Sequence, residues 1–165
     1  MEDEKKLLNE VAADTYDSSD RPFDFVLEEG ETALVCSNDA ASREKIIQAL
    51  QAMGYQISES ASAKDALKSM RFHVFDLVAV DEGFEREVLD YLETLNMNTR
   101  RNIFVVLLTG ALRTMDNMAA FHLSVNLVIN KKNIEDVGPI LRRGINDNKQ
   151  FYSVFMDGMR KIGKI

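Results

Sequence analysis

The 165-residue sequence has one cysteine, two prolines and no tryptophan. A single thiol, Cys36, excludes a disulfide framework and any multi-cysteine zinc site. Histidine is scarce as well: His73 and His122 stand alone, without a second ligand at metal-binding spacing, and read as structural or exposed rings. Long apolar runs are missing. The longest is Ile103 to Leu108, where a membrane span needs about twenty residues. No glycine-rich turn follows the first apolar run. Ser37-Asn38-Asp39-Ala40-Ala41-Ser42 stands there instead, and a nucleotide or flavin site needs glycine to bring backbone amides onto phosphate. No serine elbow or Cys–His pair speaks for a hydrolase. Basic excess is also lacking. The net charge is −7, which disfavours nucleic acid, since phosphate contacts rely on cationic side chains. Met1 is followed by Glu2, Asp3 and Glu4, not by a basic and then apolar stretch, so no secretory signal is expected and the expected location is cytoplasmic.

What is present is enough apolar residue, 45%, to bury the core of one domain. The charge is uneven. Residues 1–31 carry eleven acids and three bases, against 16 acids and 17 bases over the remainder. Residues 1–30 therefore read as an acidic arm, partly disordered or forming a short helix. Leu7, Leu8, Val11 and Ala12 would share one face of that helix, and Asp17-Ser18-Ser19-Asp20-Arg21-Pro22 would break it.

From Glu31 onward, strand-like and helix-like patterns alternate. Ala33–Cys36, Leu77–Val80, Ile103–Leu108 and Leu127–Ile129 are continuous apolar runs, as strands covered on both faces require. Residues 55–60 alternate, which suits an edge strand. Between them, helical spacing links Ile46, Ile47, Leu50 and Met53, with Gly54 as the stop. It links Ala63, Ala66, Leu67 and Met70 after a Ser62–Asp65 capping box. It also links Val88, Leu89, Leu92 and Leu95, then Met115, Met118 and Ala119. A fifth helix carries Val137, Ile140, Leu141 and Ile145, with Asn133 as its expected cap. Five strand–helix units predict an α/β fold: a doubly wound five-stranded parallel sheet in the order 2-1-3-4-5. The domain is expected over 31–146. Phe151, Val154, Phe155, Met159 and Ile162 predict an extra C-terminal amphipathic helix over 147–165, which either folds back or meets a second chain.

Open parallel sheets bind ligands at the carboxyl ends of their strands. Strand one runs into Ser37-Asn38-Asp39, strand three into Asp81-Glu82, strand four into Thr109-Gly110 and strand five into Asn130-Lys131-Lys132. One rim thus gathers carboxylates, a hydroxyl and an ammonium. A carboxylate can attack phosphorus, and an ammonium and a hydroxyl can hold phosphoryl oxygens. Each residue also has a plainer reading. Asp39 can simply cap the first helix. Thr109 can bond backbone at a strand end. Lys131 can be a solvated charge. Glu82 reads as solvated or repelled by Asp81, and Cys36 as an inert buried thiol.

These stretches together resemble the receiver domain of bacterial response regulators, the CheY-like version of the flavodoxin-like fold. The resemblance runs over about residues 31–145. It is carried by Ala33–Asp39, Asp76–Asp81, Val105–Gly110 and Val128–Lys131, with Arg43 to Tyr55 similar to the family's first helix and its junction with strand two. It implies that Asp81 is the phosphate-accepting aspartate, Thr109 the hydroxyl residue and Lys131 the conserved-type lysine of the site. It also implies a Mg2+ site, with Asp39, Asn38, Asp81 and the Gly83 backbone carbonyl as donors. The chain departs from the pattern too. Ser37-Asn38 or Asn38-Asp39 replaces the usual acid pair, and a hard cation binds less well when a carboxylate becomes an amide or hydroxyl. Lys132 replaces a proline, Val128 stands where an aromatic switch residue is usual, and Glu82-Gly83-Phe84-Glu85 replaces a Met-Pro turn.

Two functions follow from the resemblance. One is a pseudo-receiver, not an enzyme, that docks protein partners with weak or no Mg2+-dependent phosphorylation of Asp81. The other is a working single-domain response regulator that takes its phosphoryl group from a histidine kinase. Receivers commonly pair through the face of the fourth helix, fifth strand and fifth helix. A homodimer through that face and the C-terminal helix is therefore expected.

Overall fold

The computed structural model describes residues 30–84 and 86–163. The acidic arm and its expected short helix lie outside the described residues, apart from Gly30. Five strands, β1 (Thr32–Cys36), β2 (Gln56–Ser60), β3 (Leu77–Asp81), β4 (Phe104–Thr109) and β5 (Leu127–Asn130), form one parallel sheet. Its order is β2-β1-β3-β4-β5, as expected from the alternation. Among the described residues six α-helices join or follow the strands: α1 (Ala40–Ala52), α2 (Ala63–Phe72), α3 (Glu87–Thr94), α4 (Met97–Arg100), α5 (Asn117–His122) and α6 (Val137–Lys161).

The period-two alternation of the strands sends their side chains into two cores. Leu34, Cys36, Val78, Val80, Val105, Leu107 and Val128 pack with Ala66, Val88 and Leu92 of α2 and α3. Ala33, Val35, Leu77, Ala79, Val106, Leu108 and Ile129 pack with Ile46 and Leu50 of α1 and with Leu141 and Ile145 of α6. Central strands buried on both faces read as unbroken apolar runs for this reason. The β2 edge is wetter, with Gln56, Ser58 and Glu59 exposed. Val128, at the position of an aromatic switch in the resemblance, is fully buried in the first core.

Local signals explain most boundaries. The Ser62 hydroxyl accepts the Asp65 N–H at 3.2 Å, which is one half of the expected capping box. Gly54, at φ +93°, follows α1 in the left-handed conformation that favours glycine. The fifth helix departs from expectation at both ends. Asn133 is not its cap. A 3-10 turn, Lys131–Asp136, comes first, and Asn133 lies inside it and accepts a hydrogen bond from the Thr114 hydroxyl at 2.6 Å. Helix α6 then runs unbroken for 25 residues. The extra C-terminal helix is thus the continuation of the fifth helix and not a separate rod. Pro139 does no harm in the first turn, where the N–H has no helical acceptor. Gly144 lets the helix approach the sheet: a Cβ there would meet Leu127 Cδ2 at 2.9 Å.

The tail of α6 folds back over part of its length and leaves other apolar side chains bare. Asn148, Tyr152 and Met156 line a cavity of about 370 Å³ with Glu31, Asp76 and Phe104, at the amino ends of the strands. Phe151, Val154 and Ile162 are exposed. Phe155 is partly covered by the Arg101 guanidinium, 4.9 Å from its ring centre. Among the described residues no helix is long and apolar enough to cross a membrane.

Candidate functional site

The carboxyl ends of the strands are where the buried surface turns polar. Ser37, Asp81, Thr109 and Asn130 are all buried and all stand at or just beyond a strand's end. The Asp81 carboxylate, 2% exposed, has a partner on each oxygen. Its Oδ1 accepts the Gly83 N–H at 2.9 Å. Its Oδ2 accepts the Ser37 hydroxyl at 3.1 Å and lies 2.8 Å from the Lys131 ammonium. A buried carboxylate survives as an anion only with such partners.

Lys131 Nζ is also 3.5 Å from Asp39 Oδ2, so one ammonium bridges two carboxylates. Asp39 stands at the N-cap position of α1, but its side chain makes no cap bond to the backbone. It accepts the Ser42 hydroxyl at 2.7 Å instead. That bond is the largest influence holding the Asp39 carboxyl below its ordinary range; partial burial opposes it and the Lys131 charge assists it. Burial draws the Lys131 amine down, but hydrogen bonds and attraction from Asp81 and Asp39 outweigh it and leave the amine above its ordinary value. Burial alone pushes the Cys36 thiol up to about 12, so the thiolate is scarce and the group is inert.

Thr109 is on the same rim, but its hydroxyl faces a different acid. It donates to Glu82 Oε2 and accepts the N–H groups of Ala111 and Leu112 at 3.0 and 3.4 Å. Glu82 Oε1 accepts the Gly110 N–H at 2.7 Å. The structure therefore joins Asp81, Lys131 and Asp39 directly, with Ser37 as an added member. It leaves Thr109 paired with Glu82. Glu82 is exposed as expected but is not merely solvated. The missed signal was strand alternation: Glu82 continues the parity of Val78 and Val80, which is that of Leu107 and Thr109. The loop after β4 is further tied to β5, because Asn130 Nδ2 donates to the Leu112 carbonyl at 2.7 Å and Asn130 N–H to the Thr114 hydroxyl at 2.8 Å.

The expected Mg2+ donors fit a tightly held ion poorly. Asn38 is exposed on the loop beyond β1. The Gly83 contact to Asp81 is made by its N–H. Both acids, Asp39 and Asp81, already share the Lys131 charge. Among the described residues no group of three or more His, Cys, Asp or Glu side chains is placed to hold a metal. A hard divalent cation wants several anionic oxygens free to turn toward it.

The geometry defines a doubly wound α/β protein with a charged cluster at the carboxyl rim of its parallel sheet. Its likeness to known structures is to CheY-like receiver domains of response regulators. A receiver domain protein from Methanospirillum hungatei matches with a TM-score of 0.57 at 17% identity, over 74% of this chain and 98% of its own. The chemotaxis response regulator CheY4 of Vibrio cholerae matches with a TM-score of 0.57 at 17% identity, over 70% of this chain and 99% of its own. A CheY-like receiver domain from Methylobacillus flagellatus matches with a TM-score of 0.53 at 22% identity, over 70% and 99%. At these identities the likeness is one of fold. No family model and no curated protein sequence matches the chain.

Proposed function

We propose that the chain is a receiver-like signalling module that acts by docking to protein partners, with weak or no Mg2+-dependent phosphorylation of Asp81. The domain spans 31–146 and the docking tail 147–165. The observation that carries the reading is the Asp81–Lys131–Asp39 bridge, in which the Lys131 ammonium is shared between both acids while Ser37 and Asn38 supply no further carboxylate. Any Mg2+ is held weakly, by Asp39, Asn38, Asp81 and the Gly83 carbonyl. The 2.8 Å contact between Asp81 and Lys131 favours a second reading, in which the chain is a working response regulator served by a histidine kinase.

Acetyl phosphate separates the two. In a labelling step, an Asp81 oxygen bonds to phosphorus, the phosphorus–oxygen bond of the donor breaks and acetate leaves. Intact mass, followed with and without magnesium, is expected to show little adduct. A stoichiometric adduct that disappears in Asp81→Asn establishes the working regulator.

The proposed homodimer uses the face of α5, β5 and α6. Met118 and Phe121 on α5 are 78% and 83% exposed, and Phe151 and Val154 on α6 are 77% and 80% exposed. Where such side chains form one contiguous apolar patch, that patch usually marks an interface. Light scattering is expected to give a dimer that Phe121→Glu with Phe151→Glu converts to a monomer. A wild type that stays monomeric at the highest soluble concentration defeats the pairing.

A further inference from the structure

Glu82 is the rim carboxylate that the proposed chemistry leaves without a role, and its contacts are specific. The Glu82 N–H donates to the Leu108 carbonyl at 2.8 Å, which extends the β3–β4 ladder one residue past Asp81. The sheet register thereby fixes the Glu82 backbone, and its carboxylate lies on the last residue of β4. One oxygen accepts the Thr109 hydroxyl and the other accepts the Gly110 N–H at 2.7 Å. A hydroxyl has one proton to donate. Thr109 has committed it to Glu82, and its lone pairs take the Ala111 and Leu112 amides. The hydroxyl has no donor capacity left for a phosphoryl oxygen.

We propose that Glu82 is a positioning residue, a built-in anion that occupies the Thr109–Gly110 donors, fixes the loop after β4 whatever the state of Asp81, and obstructs phosphoryl transfer to Asp81. The proposal rests on the reading of Asp81 and Thr109 given above. Two effects act together. A phosphoryl group on Asp81 would find its hydroxyl donor occupied, and it would approach a like charge one residue along the chain. Bonds from neutral donors to a carboxylate are charge-assisted, so a phosphoryl group must first break the Glu82 contacts to Thr109 and Gly110 before it gains equivalent ones. A docking module benefits from such a latch, because the loop keeps one arrangement without a signal.

The test uses the full chain as wild type, Glu82→Ala and Glu82→Gln, each confirmed as folded by amide dispersion. The first readout, without any phosphodonor, is the Gly110 amide: its proton shift and its hydrogen exchange. In Glu82→Ala the proton is expected to move upfield and exchange at least about tenfold faster, the effect of losing roughly 1.4 kcal/mol of protection. Glu82→Gln keeps one oxygen acceptor and falls between. The second readout is the initial rate of acetyl phosphate adduct formation at Asp81, with Asp81→Asn as blank. Glu82→Ala is expected to react at least about tenfold faster than wild type, by the same conversion, with Glu82→Gln again between. An unchanged Gly110 amide in folded Glu82→Ala overturns the latch. So does a shifted amide with no gain in adduct rate, including no adduct in either protein. If Glu82→Ala does not fold, the Gln variant decides by the same two readouts. A wild type labelled to full stoichiometry defeats the docking reading whatever the variants do. A rate ratio near one defeats the latch whatever the wild type does.

Discussion

Asp81 and Glu82 are neighbours in the chain and belong to two different clusters. Asp81 ends β3 on the α1–α6 side of the sheet, buried, with Ser37 and Lys131 on one oxygen and Gly83 on the other. Glu82 takes the opposite parity, is exposed, and grips Thr109 and Gly110. The difference teaches how one strand end feeds two sites. A pleated strand turns successive side chains to opposite faces, and the β3–β4 register carries that parity one residue further, so here Asp81 and Glu82 meet different partners. The two clusters also differ in their access to water. Asp81 has no water to turn to if a partner is lost, whereas Glu82 does.

Lys131→Met tests the buried cluster and should have the largest effect. It removes the Lys131 cation from a carboxylate that is 2% exposed. Breaking a fully buried pair costs about 3–5 kcal/mol, and the solvent-facing part of Lys131 lowers that to about 2 kcal/mol here. Urea denaturation measures it. Adding Asp81→Asn to Lys131→Met should recover most of the loss, because a neutral amide no longer needs the ammonium. Failure of the double variant to recover would mean that Lys131 contributes packing and not charge.

Thr109→Val tests the exposed cluster at nearly constant side-chain volume. A hydrogen bond to a charged group contributes about 1.5–3 kcal/mol, but Glu82 can rehydrate, so the expected loss is about 1 kcal/mol. A loss as large as that of Lys131→Met would erase the contrast between the two clusters. It would place the Glu82–Thr109 contact in an environment as dry as that of Asp81.

The sheet was legible because its signal is redundant. Ala33–Cys36, Leu77–Val80 and Ile103–Leu108 are apolar throughout, and only strands covered on both faces need that. The meeting of Asp81 and Lys131 was legible for a related reason. Once the strand order is known, the carboxyl ends converge on one rim. Contacts set by side-chain parity and by short loops were not legible. Glu82 looked solvated because its partner, Thr109, is far along the chain, and only the β3–β4 register (Asp81 opposite Leu108) brings them together. Asn133 looked like a helix cap because cap residues also favour turns. Here the turn won, and a 3-10 segment precedes α6. The join between the fifth helix and the tail was hidden at Gly144. Glycine there answers the close approach of Leu127 and marks no break.

The margin of the buried cluster gives the smallest effect and the sharpest test of which contact sets it. Asp39 is lowered from its ordinary 3.8 in the folded protein. Its contribution to stability is therefore present above that value and is lost as pH falls through the lower, folded one. Lys131 is raised from its ordinary 10.5. Its contribution is complete below that value and is lost as pH rises through the higher, folded one. Stability should thus fall away at an acid edge and at an alkaline edge. The two edges answer to different partners. The Ser42 hydroxyl is the largest influence on Asp39, so Ser42→Ala should blunt the acid edge more than Lys131→Met does. The alkaline edge should persist in Ser42→Ala and flatten in Lys131→Met. Urea midpoints of the three proteins across both edges measure the differences, which remain small because Asp39 is partly in water and its charge is screened. An acid edge unchanged by Ser42→Ala and abolished by Lys131→Met would reverse the assignment and make Asp39 a full member of the Asp81 cluster.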